Sequence, residues 1–198
     1  MKHFSLLRSF HVADLFTIAN GCCGIVAVFH AMRALAVGDT RSIYFAALLV
    51  PLAIVFDVLD GRIARWRHRA SPMGRELDSL ADLISFGVAP AAIAYAAGLR
   101  TTIDQIILVY FVLCGLSRLA RYNVTADELA GREGGKVPYF EGTPIPTSVI
   151  PLALLLLAYH LDALWPTAVL GAPFHVTALL FALSGSLMIS KTLRVPKP

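Results

Sequence analysis

Two neighbouring stretches decide how this chain is read: Asp57-Val58-Leu59-Asp60-Gly61-Arg62-Ile63-Ala64-Arg65 and Gly74-Arg75-Glu76-Leu77-Asp78-Ser79-Leu80-Ala81-Asp82. An apolar run from Ile43 to Phe56 leads into the first, and another from Leu83 to Ala97 follows the second. Both therefore sit where hydrophobic helices meet a polar edge. On a helix, Asp57 and Asp60 (i, i+3) share one face, as do Asp78 and Asp82 (i, i+4). Gly61, Ala64 and Arg65 continue the first face, and Gly74 lies one turn before Asp78 on the second. The pattern predicts two antiparallel helices directing four carboxylates at one another over a floor of small residues.

The rest of the chain places these helices in a bilayer. Of 198 residues, 57% are hydrophobic and 15% charged, against about 25% charged in soluble domains. One spanning helix takes about 20 apolar residues. Composition excludes a disordered chain, a disulfide-stapled secreted domain and an ordinary soluble enzyme. It points to an all-α polytopic membrane protein, a single membrane domain over residues 1–198. Polar punctuation delimits six candidate spans near 12–34, 42–66, 73–98, 102–122, 146–165 and 173–191, with a Gly- and Pro-rich connection from Asn123 to Ile145 and short turns elsewhere. Residues 1–11 have the apolar and basic segregation of a short interfacial helix (Phe4, Leu7 and Phe10 against Lys2 and Arg8). The run from Val12 to Met32 exceeds a signal-peptide core and carries Asp14 and Asn20, so it reads as a retained first span. Cys22, Cys23 and Cys114 lack metal-ligand or disulfide spacing and read as small buried residues.

Charge sets the orientation. With both termini on one side, all of the 17 Lys and Arg residues except Arg33, Arg41 and Arg100 fall on that side. That bias places it in the cytoplasm. The net charge of +4 then reflects topology and anionic lipid rather than nucleic acid.

Four membrane carboxylates need a reason. Each costs roughly 2.5–3.5 kcal/mol at mid-bilayer, so four cost on the order of 10 kcal/mol before their mutual repulsion. That rivals the whole stability of a domain, about 5–15 kcal/mol. A structural network with Arg62, Arg65, Arg67, Arg69 and Arg75 is one resolution. Bound divalent cations are the more economical one, and all-oxygen ligands suit Mg²⁺ or Mn²⁺. Two such ions hold a diphosphate and promote displacement at phosphorus. Ser71-Pro72 reads as an N-cap followed by Pro at the first helical position, and a helix start favours phosphate. Gly61, Ala64 and Gly74 leave room for a base or ribose against the backbone.

The pattern Asp57-x2-Asp60-Gly61-x2-Ala64-Arg65-x8-Gly74-x3-Asp78-x3-Asp82 resembles the signature of the CDP-alcohol phosphatidyltransferases at every fixed position. The resemblance implies a six-helix membrane enzyme, a homodimer, with Asp57, Asp60, Asp78 and Asp82 holding a pair of Mg²⁺ or Mn²⁺ ions and Asp82 acting as general base. It also implies that Asp60, Gly61, Ala64, Arg65, Ser71, Gly74 and Asp78 surround the CDP-lipid. The segment from Gly74 to Pro90, together with Leu119–Asn123, Tyr139–Pro146 and the ending Lys191–Pro198, looks like the membrane-embedded branch that uses L-serine. Relatives with phosphorylated acceptors carry an Arg in the first span's polar motif. Here that motif is Phe16-Thr17-Ile18-Ala19-Asn20, without one.

The expected reaction is attack of the L-serine hydroxyl on the lipid-bearing phosphorus of CDP-diacylglycerol, with CMP leaving. The serine carboxylate calls for a cation, and Arg118 and Arg121 lie one turn apart at the end of span 4. A guanidinium fork suits a carboxylate, and the family likeness adds Tyr122 and Asn123. Thr17 and Asn20 lie one turn apart and face either the substrates or a neighbouring helix. The segment Tyr139-Phe140-Glu141 is either a flap over the site or a solvated connection. Alternatives within the family are another acceptor (glycerol 3-phosphate, an inositol phosphate) or an ether-lipid donor. An ion-coupled transporter is the reading outside it.

Overall fold

The computed structural model describes residues 12–66, 72–130, 139–169, 172–190 and 194–196. The expected interfacial helix at 1–11 and the N-cap Ser71 lie outside the described residues. Helix α1 covers Val12–Val37 and α2 Thr40–Trp66. Between them Gly38 adopts φ +70°, a left-handed turn that glycine makes without a Cβ clash. Asp39 then caps α2, accepting from the Arg41 N–H at 3.1 Å and from the Ser42 hydroxyl at 2.8 Å. The Ser42 hydrogen bond holds the Asp39 carboxyl below its usual range.

The third rod is one helix by path but not by geometry. It comprises α3 (Pro72–Asp82), a π-helical stretch (Leu83–Val88) and α4 (Ala89–Ala97). Pro72 opens α3, the position the sequence assigns it. The wider π turns begin directly after Asp82, and such segments recur at functional sites. Helix α5 covers Thr102–Ala130. It overruns the expected end at 122, so the connection that begins at Asn123 starts as helix. A run of continuous i→i−4 bonding through Asn123 and Val124 outweighs the glycines, which come only after Ala130.

The last two rods are shorter than the expected 146–165 and 173–191. A 3-10 turn (Ile145–Ser148) leads into α6 (Val149–His160), and α7 is Ala178–Ile189. At 1.5 Å per residue, twelve-residue helices reach about 18 Å, short of a hydrocarbon core of about 30 Å. Between them, strands β2 (Pro166–Val169) and β3 (Ala172–His175) form an antiparallel ribbon where the sequence suggested only a turn. Strands β1 (Tyr139–Glu141) and β4 (Arg194–Pro196) form a second. Apart from these ribbons the described chain is helical. Four helical rods, Asp14–Val37, Thr40–Ile63, Met73–Ala97 and Thr102–Val124, are long and apolar enough to cross a bilayer. That is the character of an integral, multi-pass membrane protein.

Packing follows side-chain size. The inward stripe of α1 (Asn20, Ala27, Ala31, Ala34) meets that of α2 (Ile43, Ala46, Val50, Ala53), all buried. Small residues let helix backbones approach closely, as in other membrane bundles. Phe111 of α5 meets Phe181 of α7 edge to face, with ring centroids 5.3 Å apart. Gly185 of α7 allows this approach, since a Cβ there would lie 3.2 Å from the Phe111 Cα. Leu15, Phe29, Phe45, Leu48, Val109 and Leu183 point outward, as a lipid-facing surface requires. Cys22, expected to be buried, is exposed on this outer face, while Cys23 and Cys114 are buried.

The end of the bundle away from the acidic motif is closed by a polar clamp the sequence did not reveal. The Asp104 carboxylate, fully buried, accepts from the His175 backbone N–H at 2.9 Å, from the Thr101 N–H at 3.1 Å, and bonds His175 Nδ1 at 2.7 Å. The Asp104 N–H donates to the Thr101 hydroxyl at 3.2 Å. This capping box starts α5 and ties the β2–β3 ribbon to it.

Candidate active site

Helix α1 builds the site. The third rod meets α2 through α4 and the π-helical stretch, as the expected side-by-side pair requires, while its acidic segment α3 packs principally on α1, as does α2. Asp14, Thr17, Asn20, Gly21 and Gly24 recur at three- and four-residue spacing on α1 and are all buried. This stripe forms the wall against which the carboxylates of α2 and α3 converge. The approach is close: a Cβ on Gly24 would lie 2.6 Å from Ser85 Oγ and 2.8 Å from Ser85 Cα. In return the Ser85 hydroxyl donates to the Asn20 carbonyl at 2.8 Å.

Against this wall Asp57, Asp60 and Asp78 each place a carboxylate oxygen within 4.8 Å of the others. The Thr17 hydroxyl donates to Asp60 Oδ2 at 2.8 Å. Asp78 Oδ1 is buried without a hydrogen-bond partner. Three carboxylates in reach of one another, with an unsatisfied oxygen on Asp78, match a hard divalent cation rather than a self-contained polar network. Asp82 stands apart from this trio. Its Oδ1 accepts from Asn20 Nδ2 at 2.9 Å, although it still feels the charges of Asp57, Asp78 and Asp60. Two carboxylate environments thus result: a three-oxygen cluster, and a single carboxylate fixed by an amide.

The other expected residues separate by position. Gly61 is half-buried one residue beyond Asp60, Gly74 lies in the first turn of α3, and Ala64 and Arg65 continue the backbone of α2. Arg118 lies within electrostatic reach of Asp82 and Tyr122, and its Nε is buried without a partner. Arg121 instead donates from Nη1 to the Ile189 carbonyl at 3.4 Å, at the end of α7. Tyr122 is largely exposed. Asn123 is buried and committed elsewhere: its amide nitrogen donates to Glu76 at 3.2 Å and to Ser79 at 3.1 Å, which joins α5 to α3. Sequence reading missed Asp14, which is buried within electrostatic range of Asp60. It also missed Ser79, Glu76 and Ser85. The i, i+3 spacing of Asp14 with Thr17 and Asn20 was the available signal for the first of these.

An oxygen-only acidic cluster on two helices of a membrane bundle suits a metal-dependent transferase that acts on a phosphorylated lipid. The family model for CDP-alcohol phosphatidyltransferases matches residues 10–187, and the chain belongs to that family. It is 44% identical to a CDP-diacylglycerol–serine O-phosphatidyltransferase of Saccharomyces cerevisiae, over 99% of this chain and 74% of that protein. It is 34% identical to a Bacillus subtilis protein of the same name, over 76% of this chain and 77% of that one. It is also 36% identical to the archaetidylserine synthase of Methanothermobacter thermautotrophicus, over 71% of this chain and 55% of that protein.

Proposed function

We propose that this protein transfers the phosphatidyl group of CDP-diacylglycerol to the hydroxyl of L-serine, giving phosphatidylserine and CMP. The observation that carries the proposal is the division of the acidic residues into a cation-fitting trio and a separately held Asp82. The nearly full-length likeness to a serine-using enzyme supports the choice of acceptor.

In this reading Asp57, Asp60 and Asp78, with Asp82 at the edge, hold two Mg²⁺ or Mn²⁺ ions. Bound there, the ions neutralise the diphosphate and the charge that develops on the leaving group. Gly61, Ala64, Arg65, Ser71 and Gly74 surround the CDP moiety, with the glycines allowing contact with the backbone. Asp82 takes the proton of the serine hydroxyl. The serine oxygen forms its bond to the phosphorus that carries diacylglycerol, the bridging oxygen–phosphorus bond to CMP breaks, and CMP departs with those electrons. Arg118, whose buried Nε has no partner and which lies within electrostatic reach of Asp82, binds the serine carboxylate. Arg121 and Tyr122 stand at its margin. Six membrane crossings, a cytoplasmic active site and homodimer formation belong to the same proposal, and the distribution of basic residues supports the orientation.

Purified protein given Mn²⁺ and CDP-diacylglycerol should release CMP only when L-serine is present. Release that requires glycerol 3-phosphate or an inositol phosphate instead would refute the acceptor assignment.

A further inference from the structure

We infer that Asn20 reads the ammonium group of the acceptor while it positions Asp82, which makes it a specificity residue as well as a support; the inference rests on the serine reading above. Asn20 is wholly buried, with 0% of its surface exposed. Its backbone carbonyl is fixed by the Ser85 hydroxyl at 2.8 Å, and its side-chain nitrogen is spent on Asp82 Oδ1 at 2.9 Å. The remaining atom, Oδ1, is buried and has no hydrogen-bond partner.

A buried amide oxygen without a donor is costly, about 1–3 kcal/mol, and it persists where a ligand supplies the donor. The two oxygens of this side-chain pair differ in kind. Asp82 accepts a proton that leaves; Asn20 Oδ1 accepts a hydrogen bond that stays. Because both nitrogen and oxygen of the Asn20 amide share one carbon and the nitrogen bonds Asp82 at 2.9 Å, Oδ1 lies within a few ångströms of the Asp82 carboxylate. Serine carries its hydroxyl and ammonium on adjacent carbons, so the two groups reach two adjacent acceptors at once. The hydroxyl meets Asp82 and the ammonium meets Asn20 Oδ1. Arg118 then takes the carboxylate on the α5 side. An acceptor with a carboxylate and hydroxyl but no ammonium leaves Asn20 Oδ1 unsatisfied, and a site built around a polar group rejects the analogue that lacks it.

The test compares L-serine with 3-hydroxypropanoate, which is serine without its ammonium, by CMP release and phospholipid product. Three forms are assayed: wild type, Asn20→Leu and Asn20→Asp. Wild type should prefer serine. Asn20→Leu, which loses both functions of the amide, should lower kcat for both acceptors and shrink the serine preference in kcat/KM by roughly 10- to 100-fold. Its KM for CDP-diacylglycerol should not change. Asn20→Asp, nearly isosteric, keeps an acceptor oxygen but no donor to Asp82. It should lower kcat while keeping the serine preference. An unchanged preference in Asn20→Leu, or a lost one in Asn20→Asp, overturns the inference. If Asn20→Leu does not fold, the Asn20→Asp preference alone decides. Failure of wild type to release CMP with serine would instead count against the proposed function, and it is read before any variant.

Discussion

Gly24 is the point at which a single methyl group should disturb the site from a distance. Its absent Cβ would sit 2.8 Å from the Ser85 Cα, and ordinary contact begins near 3.4 Å. Gly24→Ala must therefore open the α1–π-helix interface by about 0.6 Å, and the nearest heavy atom after the hydroxyl is backbone that cannot rotate away. Asn20 lies one turn earlier on the same face. Transmitted in full, the shift stretches its 2.9 Å bond to Asp82 to about 3.5 Å, the edge of hydrogen bonding. Overpacking of this kind costs about 1–3 kcal/mol, a drop of several degrees in Tm for a chain of this size. A misplacement approaching 1 Å lowers turnover by up to about 100-fold, so a loss of tenfold or more is expected. Gly21→Ala is the internal control: its Cβ would meet the Ala81 Cβ at 3.5 Å, an ordinary contact, and should be tolerated. Both variants are assayed in detergent or nanodiscs, by thermal unfolding and by initial CMP release. Wild-type behaviour of Gly24→Ala, or equal damage from Gly21→Ala, would refute the claim that this close approach positions Asp82.

Three further outcomes are expected. Asp82→Asn should remove most turnover while divalent-cation binding, followed by calorimetry, persists through Asp57, Asp60 and Asp78; undiminished turnover would contradict its role as base. Asp104→Ala strands two backbone N–H groups and the His175 imidazole, and each buried polar group left unsatisfied costs about 1–3 kcal/mol, so Tm should fall sharply. Since Asp104 stands fourteen residues, or about 21 Å, along α5 from Arg118, kcat of the folded fraction at low temperature should remain near wild type. Asn123→Ala removes the tie from α5 to Glu76 and Ser79; it should lower kcat with serine without a selective rise in the serine KM, and a selective rise would mean that Asn123 itself contacts the acceptor.

Much of the fold and part of the site were legible in the chain alone. Hydrophobic runs fix the number of helical rods, because a bilayer admits backbone only when its hydrogen bonds are satisfied internally. The aspartates announce themselves because charge is so scarce around them, and their i, i+3 and i, i+4 spacings assign each pair to one face whatever the helix packs against. The pairing of Asp57 with Asp60 follows from that spacing; that Asp78 joins them is a matter of how the helices meet. The short α6 and α7 were not legible: residues 161–165 and 173–177 are apolar enough for helix, yet Asp104 captures His175 and the β2–β3 ribbon, a contact between positions 71 residues apart. Nor was the end of α5, since local bonding carries the helix past the residue at which composition changes.

What the sequence by itself determined is which residues share a helix face, and so which carboxylates had to be reckoned with together. Only the tertiary structure decided what lies between the two acidic helices. Because Gly24 lacks a side chain, α1 packs closely against the π-helical stretch, and its Asn20 takes hold of Asp82 and not the other three. That sets one amide-bound carboxylate, Asp82, beside a trio that fits a cation. Spacing along one chain cannot make that distinction, because it depends on the distance between backbones that meet only after folding.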